Sequence, residues 1–246
     1  MRPPEHTEGD AKTCDFLDRD ANALLHQALS SPCASTIAKA KGIWIEDTTG
    51  RRFMDFNGNS VHHIGYGHPR LIVAIKDQLD TLPFLPRRFT NGVFVVLLIA
   101  AVIARHDLDV VGDFAIGHYT HEKNQVTALA ALKTLDVVAE KNLYERAAKL
   151  VTFPIKHLTD LIRHRPNVDE MRGRARMFGV DMVMDRDSRE SITELAKKVC
   201  YSCLENGVSF KISAGSVLTL SPPLTVSRSD LKRALSIVTQ ALGDML

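Results

Sequence analysis

A chain of 246 residues, 45% apolar and 24% charged, can bury a sizeable core and has the composition of an ordinary soluble globular protein. Its formal charge of +2 is too near balance to draw nucleic acid or an anionic membrane, so neither is expected as a partner. The longest apolar run, Gly92 to Ala104, falls short of the about 20 residues that a membrane-spanning helix needs.

The N-terminal MRPPEHTEGD carries early acids and no apolar core of a secretory signal. Four cysteines without framework spacing fit a reducing compartment, and a cytoplasmic location is expected. Helical spacing covers Asp15 to Leu29, with Phe16, Ala23, Leu24 and Leu25 available for one face. Gly42-Ile-Trp-Ile and Arg52-Phe-Met-Asp-Phe56 flank the turn residues Asp47 to Gly50, which predicts a hairpin. Asn57-Gly-Asn-Ser60 breaks that pattern, and Gly65, Gly67 and Pro69 extend an irregular loop. A helix is predicted from Pro69, since proline suits a first turn, with Leu71, Ile72, Ile75 and Leu79 as its buried stripe.

Prolines 83 and 86 predict an extended connector from Thr81 to Asn91. The continuous apolar run after it reads as a strand buried on both faces, as in a parallel sheet. No other run resembles it, so a central strand stands without its neighbours. Helix is predicted over Asn124 to Leu150 with an interruption near Asn142, and Pro154 marks a break before the pattern resumes toward Arg165. The last third alternates: a strand at Met177 to Met184, a helix at Glu190 to Glu205 stopped by Gly207, then short strands at Val208 to Lys211 and Val217 to Leu220. Ser227 and Asp230 open a last helix over Leu231 to Leu242. This βαββα-like block predicts a small α+β domain.

Four stretches, in order, resemble class III aminotransferases, which are fold-type I enzymes dependent on pyridoxal 5′-phosphate (PLP). They are GIWIEDTTGRRFMDFNGNSVHHIGYGHPRLIVAIKDQL, AAVIARHDLDVVGDFAIGHYTHEKNQVTALAALKTLDVV, MRGRARMFGVDMVMDRDS and VLTLSPPLTVSRSDLKRAL. The resemblance implies an α/β, aspartate aminotransferase-like PLP-dependent transferase fold with most of the large-domain sheet missing, plus a C-terminal α+β small domain. Three parts follow from it: 1–91 as N-terminal helix, hairpin and connector, 92–150 as the remnant of the PLP-binding domain, and 151–246 as the small domain.

Family members are much longer, and the absent interval falls between Asn91 and Gly92. In the family that interval carries the phosphate-cradling turn, the aromatic that stacks on the ring, the aspartate at the pyridine nitrogen and the cofactor lysine. Here no lysine stands between Lys76 and Lys123. PLP chemistry needs a lysine amine for attachment and for proton transfer at the substrate carbon, and none can be named.

By position, Thr120 matches the family threonine that reaches the PLP phosphate across a dimer interface, which implies a homodimer; an ordinary loop threonine is the alternative. At Thr219 many members have an arginine gripping the substrate α-carboxylate, which threonine cannot do. Asn59, Ser60 and His62 match the loop lining the substrate entrance. The implied activity is amino-group transfer between an amine or amino acid and a keto acid. The alternatives are a PLP-dependent ammonia-lyase and a non-catalytic deletion remnant that keeps dimerising surfaces.

Other constellations read as structural. His118, His121 and Glu122 lack metalloprotease spacing and a third ligand. Cys200 and Cys203 sit late in a predicted helix, where a half-buried face explains them better than redox chemistry. Arg172, Arg174 and Arg176 lie on a predicted strand as a solvated edge. Glycines 58, 65 and 67 do not form a dinucleotide-binding turn.

Overall fold

A computed structural model describes residues 13–16, 18–19, 35–58, 62–83, 125–150, 165–174 and 177–245. The chain divides into two compact units, Met1–Tyr66 with Asn142–Leu246, and Gly67–Lys141. The expected strand at 92–104, the metal candidates His118, His121 and Glu122, and Thr120, Asn59 and Ser60 lie outside the described residues, as does most of the predicted helix at 15–29.

In the first unit, β1 (Ile37–Lys41), β2 (Trp44–Asp47) and β3 (Arg52–Asp55) form an antiparallel meander, to which β6 (Val208–Ser209) adds in parallel beside β3. The predicted hairpin is β2–β3. Its turn is built by Asp47, whose Oδ1 accepts the backbone N–H groups of Thr49 (2.9 Å) and Arg51 (3.0 Å) and the Thr49 hydroxyl (2.7 Å). Gly50 supplies the left-handed backbone, at φ 87°, that closes it.

The second sheet of this unit runs β4 (Val168–Arg174), β5 (Met177–Met182), β8 (Val217–Leu220), β7 (Lys211–Ser213), antiparallel throughout. Period-two alternation buries Phe178, Val180 and Met182 of β5 and Leu218 and Leu220 of β8. Against them lie α3 (Thr193–Glu205), through Ala196, Val199, Cys200 and Cys203, and α4 (Arg228–Met245), through Leu231, Ala234, Leu235, Val238, Ala241 and Leu242. Both sets follow helical spacing, which gives each helix one apolar face. Gly207 at φ 86° donates its N–H to the Leu204 carbonyl (3.0 Å) and ends α3. Ser227 caps α4, its Oγ accepting the Asp230 N–H at 3.0 Å.

Three expectations need correction. The predicted strand from Val208 to Lys211 is two strands in two sheets, β6 and β7, separated at Phe210. The helix expected from Glu190 begins at Thr193, because Glu190 and Ser191 are held by Met184 and Val183 in bridge contacts with the end of β5. The stripe of α1 (Pro69–Thr81) is also displaced.

In the second unit α1 packs on α2 (Gln125–Glu140) through Leu71, Ala74, Ile75 and Gln78, while Ile72 and Leu79 are 40% and 49% exposed. The line 71, 74, 75, 78 follows helical spacing, and Ile72 and Leu79 lie one position around the helix from it. Gln78 tolerates burial because its side-chain amide donates to the Leu82 carbonyl at 2.8 Å. Arg70 of α1 forks onto both carboxylate oxygens of Glu140. The predicted interruption is present: α2 ends at Glu140, Asn142 adopts φ 46°, and residues 143–150 are again helical, within the first unit.

Candidate functional site

The end of β3 delivers a buried carboxylate to a glycine-rich loop. Asp55 Oδ1 accepts the N–H of Asn57 at 2.8 Å, and the Gly58 N–H reaches both oxygens, at 3.1 and 3.0 Å. The Tyr66 hydroxyl donates to Oδ2 at 2.5 Å. One short side chain therefore ties the first and last residues of the loop together. A side chain at Gly65 would be strained, because at φ 82° its added carbon would stand 3.0 Å from the Gly42 carbonyl oxygen.

His62 fills the centre of this loop, 5% exposed, its ring 5.1 Å from that of Tyr66. Its Nε2 lies 3.2 Å from the Asp55 backbone carbonyl, an acceptor only, so Nε2 carries the proton. Nδ1 is buried with no partner among the described residues and faces Gly58, where an added methyl carbon would come within 1.9 Å of it.

The loop is docked on the segment after β8. The Phe56 carbonyl accepts the Ser221 N–H (2.5 Å), and the His63 carbonyl accepts the Leu224 N–H at 2.8 Å. From the helical turn at 143–150, Arg146 donates to the carbonyls of Leu224 and Val226, holding the stretch that follows the double proline. Charge-assisted bonds to two carbonyls are stronger than neutral ones, which suits a segment with little regular structure.

Of the residues proposed from sequence, His62 and Thr219 are described. The Thr219 hydroxyl donates to Ser213 Oγ at 3.0 Å, within the β7–β8 pair, with Lys211 and Gly179 as its cross-strand neighbours. No hydrogen bond joins Thr219 to His62 among the described residues. Asp55 and Tyr66 were missed by sequence reasoning. An aspartate directly before Phe-Asn-Gly at a strand end could have signalled the first, since such a carboxylate commonly caps the following turn. Nothing local signals Tyr66. Arg172 is paired with Glu170 (2.9 Å) and Asp181 (3.4 Å) on the edge strand β4, as a solvated edge should be. Cys200 and Cys203 are core residues, and burial, then the neighbouring Cys200, pushes the Cys203 thiol up to about 12. A thiol so disfavoured as thiolate is a packing group.

The Tyr66 phenol is held well above the ordinary tyrosine range, first by burial, then by its hydrogen bond to Asp55 and the charge of that carboxylate. A group whose folded pKa is raised contributes stability that is complete below its unfolded value, about 10, and lost as pH rises toward the folded value. Thermal melts of wild type and Tyr66→Phe should differ by a constant amount up to about pH 9 and converge above about pH 10. Parallel curves through that range would show that the phenol does not titrate with unfolding.

A lysine suited to carrying a carbonyl cofactor is not found among the described residues. Every described lysine is exposed or half-exposed, and none bonds to Asp55, His62 or Tyr66. Lys39, Lys133 and Lys197 are occupied by Glu46, Asp136 and Glu194. Nor do any described residues cluster as metal ligands, and no described helix is long and apolar enough to cross a membrane.

The chain is similar to (R)-1-hydroxy-2-aminoethylphosphonate ammonia-lyase of Vibrio splendidus, 23% identical over 435 aligned positions that take in 95% of this chain and 91% of that protein. An alignment of that length is far longer than a chain of 246 residues, so it contains a long gap. Leucine/methionine racemase of Thermococcus litoralis is 34% identical over 53% of this chain, which spans only 30% of that protein's length. Among solved structures, a phospholyase from Arthrobacter in complex with phosphoethanolamine superposes with a TM-score of 0.82 at 15% identity, taking in 94% of this chain and 100% of that one, a likeness that bears on fold alone. The family described as Aminotransferase class-III matches in two pieces, residues 27–104 and 90–242, which overlap where the sequence places its junction. With two pieces in family order covering most of its length, this chain belongs to the class-III aminotransferases.

Proposed function

We propose that this chain is a class-III aminotransferase relative without transaminase activity of its own. The family uses PLP to move amino groups between an amine or amino acid and a keto acid, and that ancestry is the source of the fold. The observation that carries the reading is the missing attachment point: no lysine in the sequence from residue 77 to 122, and no sequestered lysine among the described residues. No lysine among the described residues fits PLP as a covalently held group, so no catalytic step is assigned to it.

An exposed lysine, with a reference pKa of about 10.4, is almost wholly protonated at neutral pH and reacts weakly and without selectivity. The test is incubation with PLP, borohydride reduction, digestion and mass mapping. Scattered partial labelling over several surface lysines is expected. Stoichiometric labelling of one lysine, with a chromophore bleached by added amine, would overturn the reading.

The ammonia-lyase alternative has one observation in its favour, the extent of the similarity to the Vibrio splendidus enzyme. Thr219 in place of a carboxylate-gripping arginine supports a substrate held by another group. On the family pattern, Thr120 is a phosphate contact, Asn59, Ser60 and His62 line the substrate entrance, and the working unit is a cytoplasmic homodimer. The division into 1–91, 92–150 and 151–246 expresses the same descent. The deletion-remnant reading keeps the dimerising surfaces and none of the chemistry.

A further inference from the structure

Where the first sheet meets α4, the surface beside the core carries an arrangement unrelated to the family's chemistry. Cross-strand register places Lys39, Lys41, Trp44, Glu46 and Arg52 on one side, since Lys41 pairs with Trp44, Lys39 with Glu46, and Glu46 with Arg52. The Arg52 guanidinium lies 4.9 Å from the centre of the Trp44 ring, and that of Arg233, an exposed residue of α4, lies 5.8 Å from it. Glu46, the nearest acid by register, is already bound by Lys39 at 2.8 Å. Among the described residues neither Arg52 nor Arg233 is in an ion pair, although both are within one unit rich in carboxylates.

A guanidinium drawn to the face of an indole can still offer its N–H groups to a second partner. Two such groups beside one ring, with Lys41 next to it, present an excess of positive charge and a set of oriented donors. A carboxylate would neutralise one of them. A phosphate, with up to two negative charges and three acceptor oxygens, matches the pair in both charge and fork geometry. We propose that Arg52 and Arg233, both lying beside the Trp44 ring, form a binding site for the phosphate group of a small anionic ligand.

Trp44 is the only tryptophan in the sequence, so intrinsic fluorescence reads this site directly. The full chain is titrated with inorganic phosphate at constant ionic strength, following both emission and heat by calorimetry. A saturable response with one site per chain and a dissociation constant of about a millimolar or tighter is expected. Arg52→Gln and Arg233→Gln should each weaken binding at least about tenfold. Arg51→Gln should bind as wild type does, because Arg51 lies over Phe53 on the opposite side of the strand (5.3 Å). Absence of saturable emission and heat changes would overturn the site, as would equal affinity in the Arg52 and Arg233 variants. Binding to phosphatidylglycerol vesicles with no response to free phosphate would overturn the assignment to a small ligand.

Discussion

Replacing Phe56 with alanine is expected to lower the unfolding free energy of the first unit by about 3–5 kcal/mol, the range for truncating a fully buried phenylalanine. The ring is 0% exposed and is part of the core formed by Met54, Phe178, Leu220 and the inner faces of α3 and α4. The backbone of Phe56 is held at both of its polar groups. The N–H donates to the Ser209 carbonyl at 2.7 Å and the carbonyl accepts from Ser221, so one residue joins the strand β6 of the first sheet to the segment leaving β8 of the second. Those bonds restrict how far the surroundings can shift into the cavity, which places the cost toward the upper end of the range. Urea unfolding followed by circular dichroism should show a lower midpoint with an unchanged slope. Phe56→Leu, which keeps most of the volume, should lose clearly less. A loss below about 1 kcal/mol for alanine would mean that the two sheets do not share this core residue.

How far the fold could be read depended on whether its determinants are local. The β2–β3 hairpin was legible because Asp47, Thr49 and Gly50 fix the turn within four residues, and the capped start of α4 was legible for the same reason. β1 was not, because Ile37 to Lys41 is short, rich in alanine and lysine and wholly exposed: it is a strand only because β2 offers an edge. The split at Phe210 was hidden too, since Val208 to Lys211 is a plausible strand by composition, and only the parallel pairing of Met54 with Val208 assigns its start to another sheet. Propensity is a weak guide where pairing partners decide. On α1 the stripe that faces α2 includes Gln78, whose polarity hid it, while the apolar Ile72 and Leu79 pointed one position around the helix. The site divides in the same way. His62 was found through a family pattern, whereas Asp55 and Tyr66 become partners only once the loop between them closes, over 11 residues.

That closure makes Asp55→Ala the second large effect, at about 2–4 kcal/mol. The carboxylate accepts from Asn57, Gly58 and Tyr66, and alanine would leave three donors in a partly buried loop without their acceptor. Each unsatisfied buried donor costs roughly 1–3 kcal/mol, and solvent reaching the half-exposed Tyr66 reduces the total. Asp55→Asn should cost less, since its carbonyl oxygen can still accept the backbone N–H groups while the amide turns its donors toward the Tyr66 hydroxyl. The contribution of the Tyr66 contact alone is accessible by a double-mutant cycle with Tyr66→Phe. A coupling energy of about 1–2 kcal/mol is expected, since a hydrogen bond to a charged acceptor exceeds a neutral one. Additive losses would show that Asp55 acts only through the Asn57–Gly58 turn. In that case Tyr66 would stay in place through its ring contact with His62 and its backbone pairing with Gly42, where each N–H meets the other's carbonyl at 2.7 and 2.8 Å.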